Sequence, residues 1–297
     1  MGGAIAERYP AAADLFTRAE RVLGYDLRQI VRTGPDEKLR ETQFSQPAIY
    51  VVNCALALAA SDALGIVATA GHSFAEFCSL TLAGALTFEE ALGLVRERGL
   101  AMQEAAERAP GAMAAVLGLD VDNVRMALAE ARAAGRVQIA NFNAPGQIVI
   151  SGDREAVAVA VDLTERAGAK RVVPLNVSGA WHSELMAPAS ERFAPFVERA
   201  TIREPQFDVI SNVDARPYRS VTTIRTNLVR SVTGEVLWHA AAERLVAEGL
   251  DLIVEFGGSA VLAPLFKRLS GAPKALHAGD EKGVEKLRAQ LGSPATA

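Results

Sequence analysis

The sequence predicts an α/β protein in which a compact subdomain interrupts a larger domain. Two observations support this class. Short apolar runs alternate with amphipathic helical stretches in residues 1–109 and 179–297, as in a largely parallel sheet covered by helices. Residues 110–178 between them follow the order β-α-β-β-α-β with short turns, which matches a split βαβ unit. The predicted large domain therefore comprises residues 1–109 and 179–297, and the small subdomain residues 110–178.

The first part of the large domain is mostly helical by its apolar periodicity, with Gly24 and Gly65 as helix ends. Gln46-Pro47 opens its most apolar helix, and Thr87 begins a stretch that resembles a capping box. The predicted helices cover residues 9–30, 46–64, 74–84 and 87–108, and the predicted strand covers residues 67–70.

The remaining elements follow the same patterns. In the small subdomain, strands are predicted at residues 113–119, 137–141, 147–151 and 170–177, and helices at 121–134 and 154–167. In the rest of the large domain, strands are predicted at residues 207–212, 252–256 and 275–277, and helices at 183–197, 223–232, 238–248 and 261–269.

Composition excludes several classes of function. Half of the 297 residues are hydrophobic, and a net charge of −4 with a pI near 5.7 argues against nucleic acid as a partner. The N-terminus has no apolar signal region, and the best apolar run, residues 49–60, is too short to span a bilayer. Cys54 and Cys78 lie in apolar helical stretches, which favours free thiols and a cytoplasmic location. No Cys/His cluster predicts a metal, and no glycine-rich phosphate-loop pattern is present.

Ser73 is the strongest candidate for chemistry. An apolar strand meets Gly71-His72-Ser73 and passes directly into a helix, which is the arrangement of a nucleophile elbow. The helix N-terminus would present free N–H groups to a developing oxyanion. An ordinary serine that caps a helix is the structural alternative, because serine is a preferred N-cap residue.

His182 is the histidine best placed to act as a base. It stands in a small-residue loop between a strand and a helix, where a side chain can enter a cleft. His72 adjoins Ser73 and its side chain should diverge, while a histidine that caps its own helix remains the alternative for His182. No aspartate is well placed to orient the imidazole, so a backbone carbonyl is the expected acceptor, giving a Ser-His dyad.

Several ordered motifs resemble malonyl-CoA:acyl carrier protein transacylases and the related acyltransferase domains of polyketide synthases. Residues 71–76, GHSFAE, are similar to the family's GHSxGE elbow, and the resemblance extends over nearly the whole chain. The other matching segments are TQFSQPA at residues 42–48, LVRERGLAMQ at 94–103, NFNAPGQ at 141–147 and AWHSELM at 180–186. The resemblance implies an α/β-hydrolase-like large domain with a ferredoxin-like small subdomain.

The resemblance also implies residue roles. Ser73 would attack the thioester of an acyl-CoA, His182 would be the base, and the carbonyl of Leu237 would orient the imidazole. Arg98 would bind the free carboxylate of a malonyl-type group, since a guanidinium forms two parallel hydrogen bonds with a carboxylate. The remaining substrate-binding residues would be Gln46, Phe74 through its N–H, Trp181 and Asn143. Plain alternatives are an Arg98 paired with Glu90 or Glu97, a Gln46 that only opens a helix, and an asparagine that only shapes a turn.

Three departures from the family's pattern bear on these roles. The family's first strand and its GQGSQ loop have no counterpart in this sequence, which leaves the Phe74 N–H as the expected oxyanion donor. Ala75 replaces the second glycine of the elbow. Trp181 replaces the usual phenylalanine. Its larger ring should crowd a C2 substituent and favour malonyl, or else rearrange the pocket for an unusual acyl group.

The favoured hypothesis is ping-pong transfer of a malonyl or related carboxyacyl group from CoA to the phosphopantetheine thiol of an acyl carrier protein. Acyl-CoA is a substrate, and no resident cofactor is expected. The alternatives are an acyl-thioester hydrolase that clears carriers and a non-catalytic module that docks them. Fatty acid and polyketide biosynthesis both fit.

Overall fold

The fold, obtained as a computed structural model, is described for residue 2 and residues 4–292. The helices are α1 (Ile5–Arg8), α2 (Pro10–Leu23), α3 (Leu27–Thr33), α4 (Asp36–Arg40), α5 (Thr42–Ala60), α6 (Glu76–Leu82), α7 (Phe88–Arg108), α8 (Val121–Ala131), α9 (Arg154–Arg166), α10 (Ala187–Arg199), α11 (Val221–Arg230), α12 (Trp238–Ala247), α13 (Ala263–Phe266) and α14 (Glu281–Gln290). The strands are β1 (Ala68–Ala70), β2 (Gly111–Leu117), β3 (Val137–Ala144), β4 (Gln147–Asp153), β5 (Arg171–Pro174), β6 (Asp208–Ile210), β7 (Leu252–Phe256) and β8 (Lys274–Ala278).

Parallel strand pairs form the centre of the larger part of the chain. β1 pairs in parallel with β6, and β7 pairs in parallel with β8. Residues from all four strands pack on one apolar cluster with α12 and α13, which places both pairs against the same helices. The predicted parallel pairing is therefore confirmed, but in the described part of the chain it is divided into two two-stranded sheets.

Residues 111–174 form a four-stranded antiparallel sheet with the strand order β3-β4-β2-β5. Helices α8 and α9 pack on it around a second apolar core that includes Val116, Leu128 and Ile150. The free edge of β3 is hydrogen-bonded to the larger part of the chain. The Phe142 N–H donates to Val236 O at 2.9 Å, and the Val236 N–H donates to Ala140 O at 2.8 Å. The predicted β-α-β-β-α-β order of this segment agrees with the structure.

The main differences from the predicted elements lie in polar segments. The loop expected before residue 46 contains α4, and α5 begins at Thr42 with Pro47 inside it. The C-terminal helix α14 was not predicted, because its weak apolar stripe is set in charged residues. These are the elements whose stability comes from packing on neighbours, which local periodicity does not report.

The helix that spans residues 42–63 is longer than the predicted apolar run, and it passes a length and hydropathy test for a membrane span. However, 61% of the tested window is buried inside the protein, as in a core helix. Within the part of the chain that the structure describes, Cys54 and Cys78 are free thiols, and no group of three or more His, Cys, Asp or Glu side chains could hold a metal ion.

Candidate active site

The elbow at Ser73 forms as a sharp turn between β1 and α6. Ser73 has φ 55°, a left-handed backbone that is uncommon for a residue with a Cβ and is typical of strained functional sites. A Cβ on Gly71 would lie 2.0 Å from Ala75 O, so only glycine fits at that position. Ala75 has φ −64°, an ordinary helical backbone, so the turn accommodates its methyl group without strain.

His182 approaches Ser73 from the loop before α10. Its Nε2 lies 2.7 Å from Ser73 Oγ, and the residue is 4% exposed. Like Ser73, His182 has a left-handed backbone, with φ 57°. The two residues therefore meet although 109 positions separate them, and both have the unusual backbone that aims a side chain into a cleft.

Two backbone carbonyls orient the imidazole. Nδ1 lies 2.9 Å from Ser231 O and 3.1 Å from Gly234 O. Because a carbonyl only accepts, Nδ1 carries the proton and Nε2 is left to accept from the Ser73 hydroxyl. The prediction of a carbonyl acceptor is therefore correct in kind, but Leu237 is the wrong residue: its carbonyl accepts the Ala241 N–H at 3.0 Å instead.

The small sheet also supports His182. Gln138 of β3 donates through Nε2 to His182 O at 3.1 Å and to Thr233 O at 3.2 Å. Its Oε1 accepts the Glu184 N–H. This side chain fixes the histidine loop to the segment that supplies the imidazole's acceptors, so the antiparallel sheet shapes the site without contributing a reacting group.

Arg98 is buried beside the dyad. The residue is 1% exposed, its Nη2 lies 3.4 Å from Ser73 Oγ, and its Nη1 donates to Gln46 Oε1 at 2.6 Å. The predicted alternative of a solvated arginine paired with Glu90 or Glu97 is wrong, since Arg98 points inward. Helices α5 and α7 bring the two side chains together because Gly99 allows close packing, its Cβ position lying 3.0 Å from Thr42 O.

The electrostatics of the site follow from burial. Burial lowers the pKa of Arg98 to about 10, and the negative charge of Glu76 opposes the fall. Burial, the positive charge of Arg98 and then that of His72 lower the pKa of His182 to about 3. The imidazole is therefore neutral at physiological pH and can accept a proton.

The remaining predicted residues, Phe74, Trp181 and Asn143, lie around the Ser73–His182 pair. Among residues 2 and 4–292, nothing accepts the N–H of Phe74, which remains available beside Ser73. Trp181 is half-buried and packs on Met113, Ala140 and Val149. Asn143 lies farther out: its Oδ1 is 2.9 Å from His72 Nε2, and it makes no hydrogen bond with Ser73, His182 or Arg98.

Residues that the sequence did not single out complete the centre. Asn212 contacts the Ser73 backbone, Glu76 contacts Asn212, and Tyr218 contacts Glu76. Glu76 stands inside the elbow motif, yet the sequence carries no sign of its partners. Asn212 directly follows β6, and the rule that ligands bind at the carboxyl ends of parallel strands is the one signal that points to it.

Known proteins are similar to this chain in sequence and in fold. The family model for the acyl transferase domain matches residues 1–269. A malonyl CoA-acyl carrier protein transacylase from Haemophilus influenzae is 38% identical over 279 residues, which cover 93% of this chain and 89% of the relative.

Two solved structures are similarly close. One is a malonyl CoA-acyl carrier protein transacylase from Coxiella burnetii, with a TM-score of 0.92, 34% identity, and coverage of 98% of this chain and 93% of the relative. The other is a malonyl-transacylase in complex with its type II PKS acyl-carrier protein, with a TM-score of 0.92, 36% identity, and coverage of 99% of this chain and 95% of the relative. The chain therefore belongs to the acyl transferase domain family and, within it, to the malonyl CoA-acyl carrier protein transacylases.

Proposed function

We propose that the chain is an acyltransferase that moves a malonyl or related carboxyacyl group from CoA to the phosphopantetheine thiol of an acyl carrier protein. One observation carries the proposal: a buried guanidinium, which makes no hydrogen bond with a carboxylate among residues 2 and 4–292, lies 3.4 Å from a serine that contacts a neutral histidine. That arrangement suits an acyl group that carries a second, free carboxylate.

The first half-reaction acylates Ser73. His182 Nε2 takes the hydroxyl proton as Oγ attacks the thioester carbonyl carbon of the acyl-CoA. The tetrahedral intermediate then breaks its C–S bond, and the departing CoA thiolate receives the proton from His182. The Ser231 and Gly234 carbonyls hold the Nδ1–H throughout and stabilise the transient imidazolium.

Two groups stabilise charge during this step. The free N–H of Phe74 is the proposed donor to the oxyanion, and removal of one such donor typically costs about 10²–10³ in kcat. Arg98 is the proposed partner of the malonyl carboxylate, held in place by Gln46. A bound carboxylate would give this buried guanidinium an opposite charge, which offsets the loss of its contacts with water.

The second half-reaction repeats the steps with a different nucleophile. The phosphopantetheine thiol of the carrier gives its proton to His182 and attacks the acyl-serine ester, and Ser73 leaves with a proton from His182. Relatives named for this activity, and one solved with a type II PKS acyl-carrier protein, support a carrier as partner in fatty acid or polyketide biosynthesis.

The remaining proposals concern the surroundings of the site. Trp181 would limit substituents at C2 of the acyl group, and Asn143 would support the pocket through His72. Acyl-CoA is a substrate and no cofactor takes part. Two free thiols support a cytoplasmic location.

We also propose a division of the chain into an α/β-hydrolase-like large domain, residues 1–109 and 179–297, and a ferredoxin-like subdomain, residues 110–178. The strand order β3-β4-β2-β5 and the two helices on one face of that sheet support the subdomain. The parallel pairs and the Ser73 elbow support the large domain.

Intact-mass spectrometry after mixing with malonyl-CoA tests the nucleophile and the base. The expected result is one malonyl adduct in the parent protein, none in Ser73→Ala, and acylation about 10²–10⁴ slower in His182→Ala. Ser79→Ala removes another buried serine of the same region and should acylate normally. An adduct that survives Ser73→Ala removes the assignment, and malonyl-CoA turnover that does not need a carrier favours a hydrolase.

A further inference from the structure

Asn212 lies level with the nucleophile elbow because of strand register. In the parallel pair of β1 and β6, Ala70 is opposite Ile210. Two residues farther along each chain, Asn212 is therefore beside His72 and Ser73. The residue is 3% exposed, so its amide is removed from water and every polar atom on it needs a partner.

The Asn212 amide holds the elbow on both sides of the strained residue. Its Oδ1 accepts the Ser73 N–H at 3.0 Å, and its Nδ2 donates to Gly71 O at 2.8 Å and to Ser73 O at 3.3 Å. These bonds fix the peptide groups before and after Ser73, whose φ of 55° is left-handed. A change in that φ would rotate Oγ away from His182 and turn the Phe74 N–H.

Glu76 and Tyr218 determine which way the amide points. Glu76 Oε2 accepts the Asn212 backbone N–H at 3.0 Å and also accepts from Nδ2. The Tyr218 hydroxyl donates to Glu76 Oε1. Because a carboxylate only accepts, the NH₂ group of Asn212 must face Glu76, which directs Oδ1 to the Ser73 N–H. Glu76 and Tyr218 are 1% and 3% exposed, so water does not compete for these bonds.

Asn212 also contacts the segment that orients the base. Its backbone carbonyl accepts the Leu237 N–H at 2.8 Å. Leu237 is three residues beyond Gly234, whose carbonyl accepts the His182 Nδ1–H. Asn212 thus connects two parts of the site. Its side chain bonds the nucleophile turn, and its backbone carbonyl bonds the segment that carries the two acceptors of the imidazole.

We propose that Asn212 is a positioning residue for acyl transfer, which holds the left-handed Ser73 so that Oγ faces His182 and the Phe74 N–H faces the oxyanion. Glu76 and Tyr218 act through it by orienting its amide. This inference rests on the proposed function, and it adds a residue that touches none of the reacting atoms.

The first experiment compares Asn212→Ala with Asn227→Ala in steady-state malonyl transfer. A misplacement of about 1 Å costs about 10² in rate, so kcat should fall about 10²-fold in Asn212→Ala while KM for malonyl-CoA changes less than about threefold. Asn227 is 2% exposed and bonds Ser211 and Asp214 but not the elbow. Its alanine variant should lose thermal stability but keep kcat within about threefold. Equal kcat values for the two variants overturn the inference.

A rescue experiment separates positioning from folding. Asn212→Asp keeps an acceptor for the Ser73 N–H but sets two carboxyl groups against each other at Glu76, so kcat should fall severely. Adding Glu76→Gln removes one of the opposed charges and gives the new carboxylate a donor, although Gly71 O and Ser73 O still lack the donor that Asn212 Nδ2 supplied. The double variant should therefore recover in part, by about tenfold. Tyr218→Phe should lose only a few-fold in kcat because the amide remains. A double variant no better than Asn212→Asp contradicts the assignment.

Amide hydrogen exchange tests, without any substrate, whether Asn212 holds the Ser73 backbone. The Ser73 amide should be protected in the parent and in Asn227→Ala. It should exchange at least about tenfold faster in Asn212→Ala or, if that variant does not fold, in Asn212→Leu, because neither side chain can accept the Ser73 N–H. Unchanged protection sinks the inference even if the parent forms its malonyl adduct. A parent without an adduct instead ends the proposed function, whatever the exchange rates are.

Discussion

Two arginines, Arg98 and Arg288, are buried to almost the same extent in different regions, with exposed fractions of 1% and 2%. Arg288 of α14 donates to both carboxylate oxygens of Asp62 and to Ala59 O at 3.0 Å, which fastens α14 to the end of α5. Arg98 of α7 donates to the neutral amide of Gln46 and to the Ser73 hydroxyl.

The pKa values of the two guanidinium groups differ accordingly. The hydrogen bond with Asp62 raises the pKa of Arg288 above its ordinary value. Burial lowers the pKa of Arg98 to about 10. A buried cation without an anion is costly, and a protein retains one where a ligand supplies the anion. Arg288 thus stabilises the folded structure, whereas the surroundings of Arg98 fit its proposed role of binding a substrate carboxylate.

The largest expected effect comes from removing the unpaired arginine. Arg98→Ala should lower kcat/KM for malonyl-CoA by about 10²–10³, because a desolvated charge pair with the substrate is lost. Acetyl-CoA, which lacks the second carboxylate, should lose much less. Parallel transfer assays with the two thioesters measure the ratio, and an unchanged ratio would show that Arg98 does not bind the carboxylate.

Giving Arg98 a carboxylate should make it resemble Arg288. In Gln46→Glu, the new carboxylate would occupy the position of an amide oxygen that lies 2.6 Å from Nη1. We expect KM for malonyl-CoA to rise about 10–100-fold, because the internal anion competes with the substrate. Gln46→Met is the neutral control and should change KM by less than about tenfold. Similar KM values for the two variants would contradict the comparison.

The two arginines should also differ in their effect on pH dependence. His182, with a pKa of about 3, should keep kcat/KM for acetyl-CoA nearly constant from pH 8 to pH 5, where an ordinary histidine would lose about 30-fold. Arg98→Ala removes a positive charge beside His182, so its acid limb should move toward neutral pH. Arg288→Ala should not move it.

The same depressed pKa affects stability. Between pH 6.5 and about 3 the unfolded chain binds a proton at residue 182 that the folded chain does not. His182 therefore lowers the free energy of unfolding as pH falls through this range. His182→Gln should flatten that part of a urea-denaturation pH profile, and a profile identical to the parent's would argue against a neutral buried imidazole.

The smallest effect on activity is expected at the paired arginine. Arg288→Ala should reduce the free energy of unfolding by about 1–2 kcal/mol, because hydrogen bonds between α14 and α5 are lost. Its kcat/KM should stay within about twofold. Urea titration and malonyl transfer measure the two quantities, and a loss of activity in the folded variant would show that the regions are coupled.

Most of the fold was predictable from local patterns. The elements between residues 111 and 174 and the strand-to-helix turn at Ser73 agree with expectation, because apolar periodicity and turn residues are read over a few positions. The division of the parallel strands into two pairs and the packing of α14 on α5 were not predictable. They depend on contacts between segments far apart in the sequence.

The functional site, too, was only partly predictable from the sequence. Ser73 and His182 stood out because each lies between a strand and a helix, and Arg98 because it fits a motif. The wrong prediction for Leu237 is instructive: the acceptors of the imidazole are Ser231 and Gly234, three to six positions earlier. A carbonyl has no sequence signature, since every residue carries one and only the path of the backbone aims it.

By itself, the sequence determined the order of the elements, the glycine that makes the elbow possible and the kind of chemistry to expect. Tertiary structure alone decided that the Asn212 amide reaches the Ser73 N–H across 139 positions, and that Arg98 is buried against the Gln46 amide. The physical reason is the separation along the chain over which each effect acts. Propensity and periodicity act between neighbours in the chain, whereas hydrogen-bond partners and desolvation are fixed by strand register and helix packing.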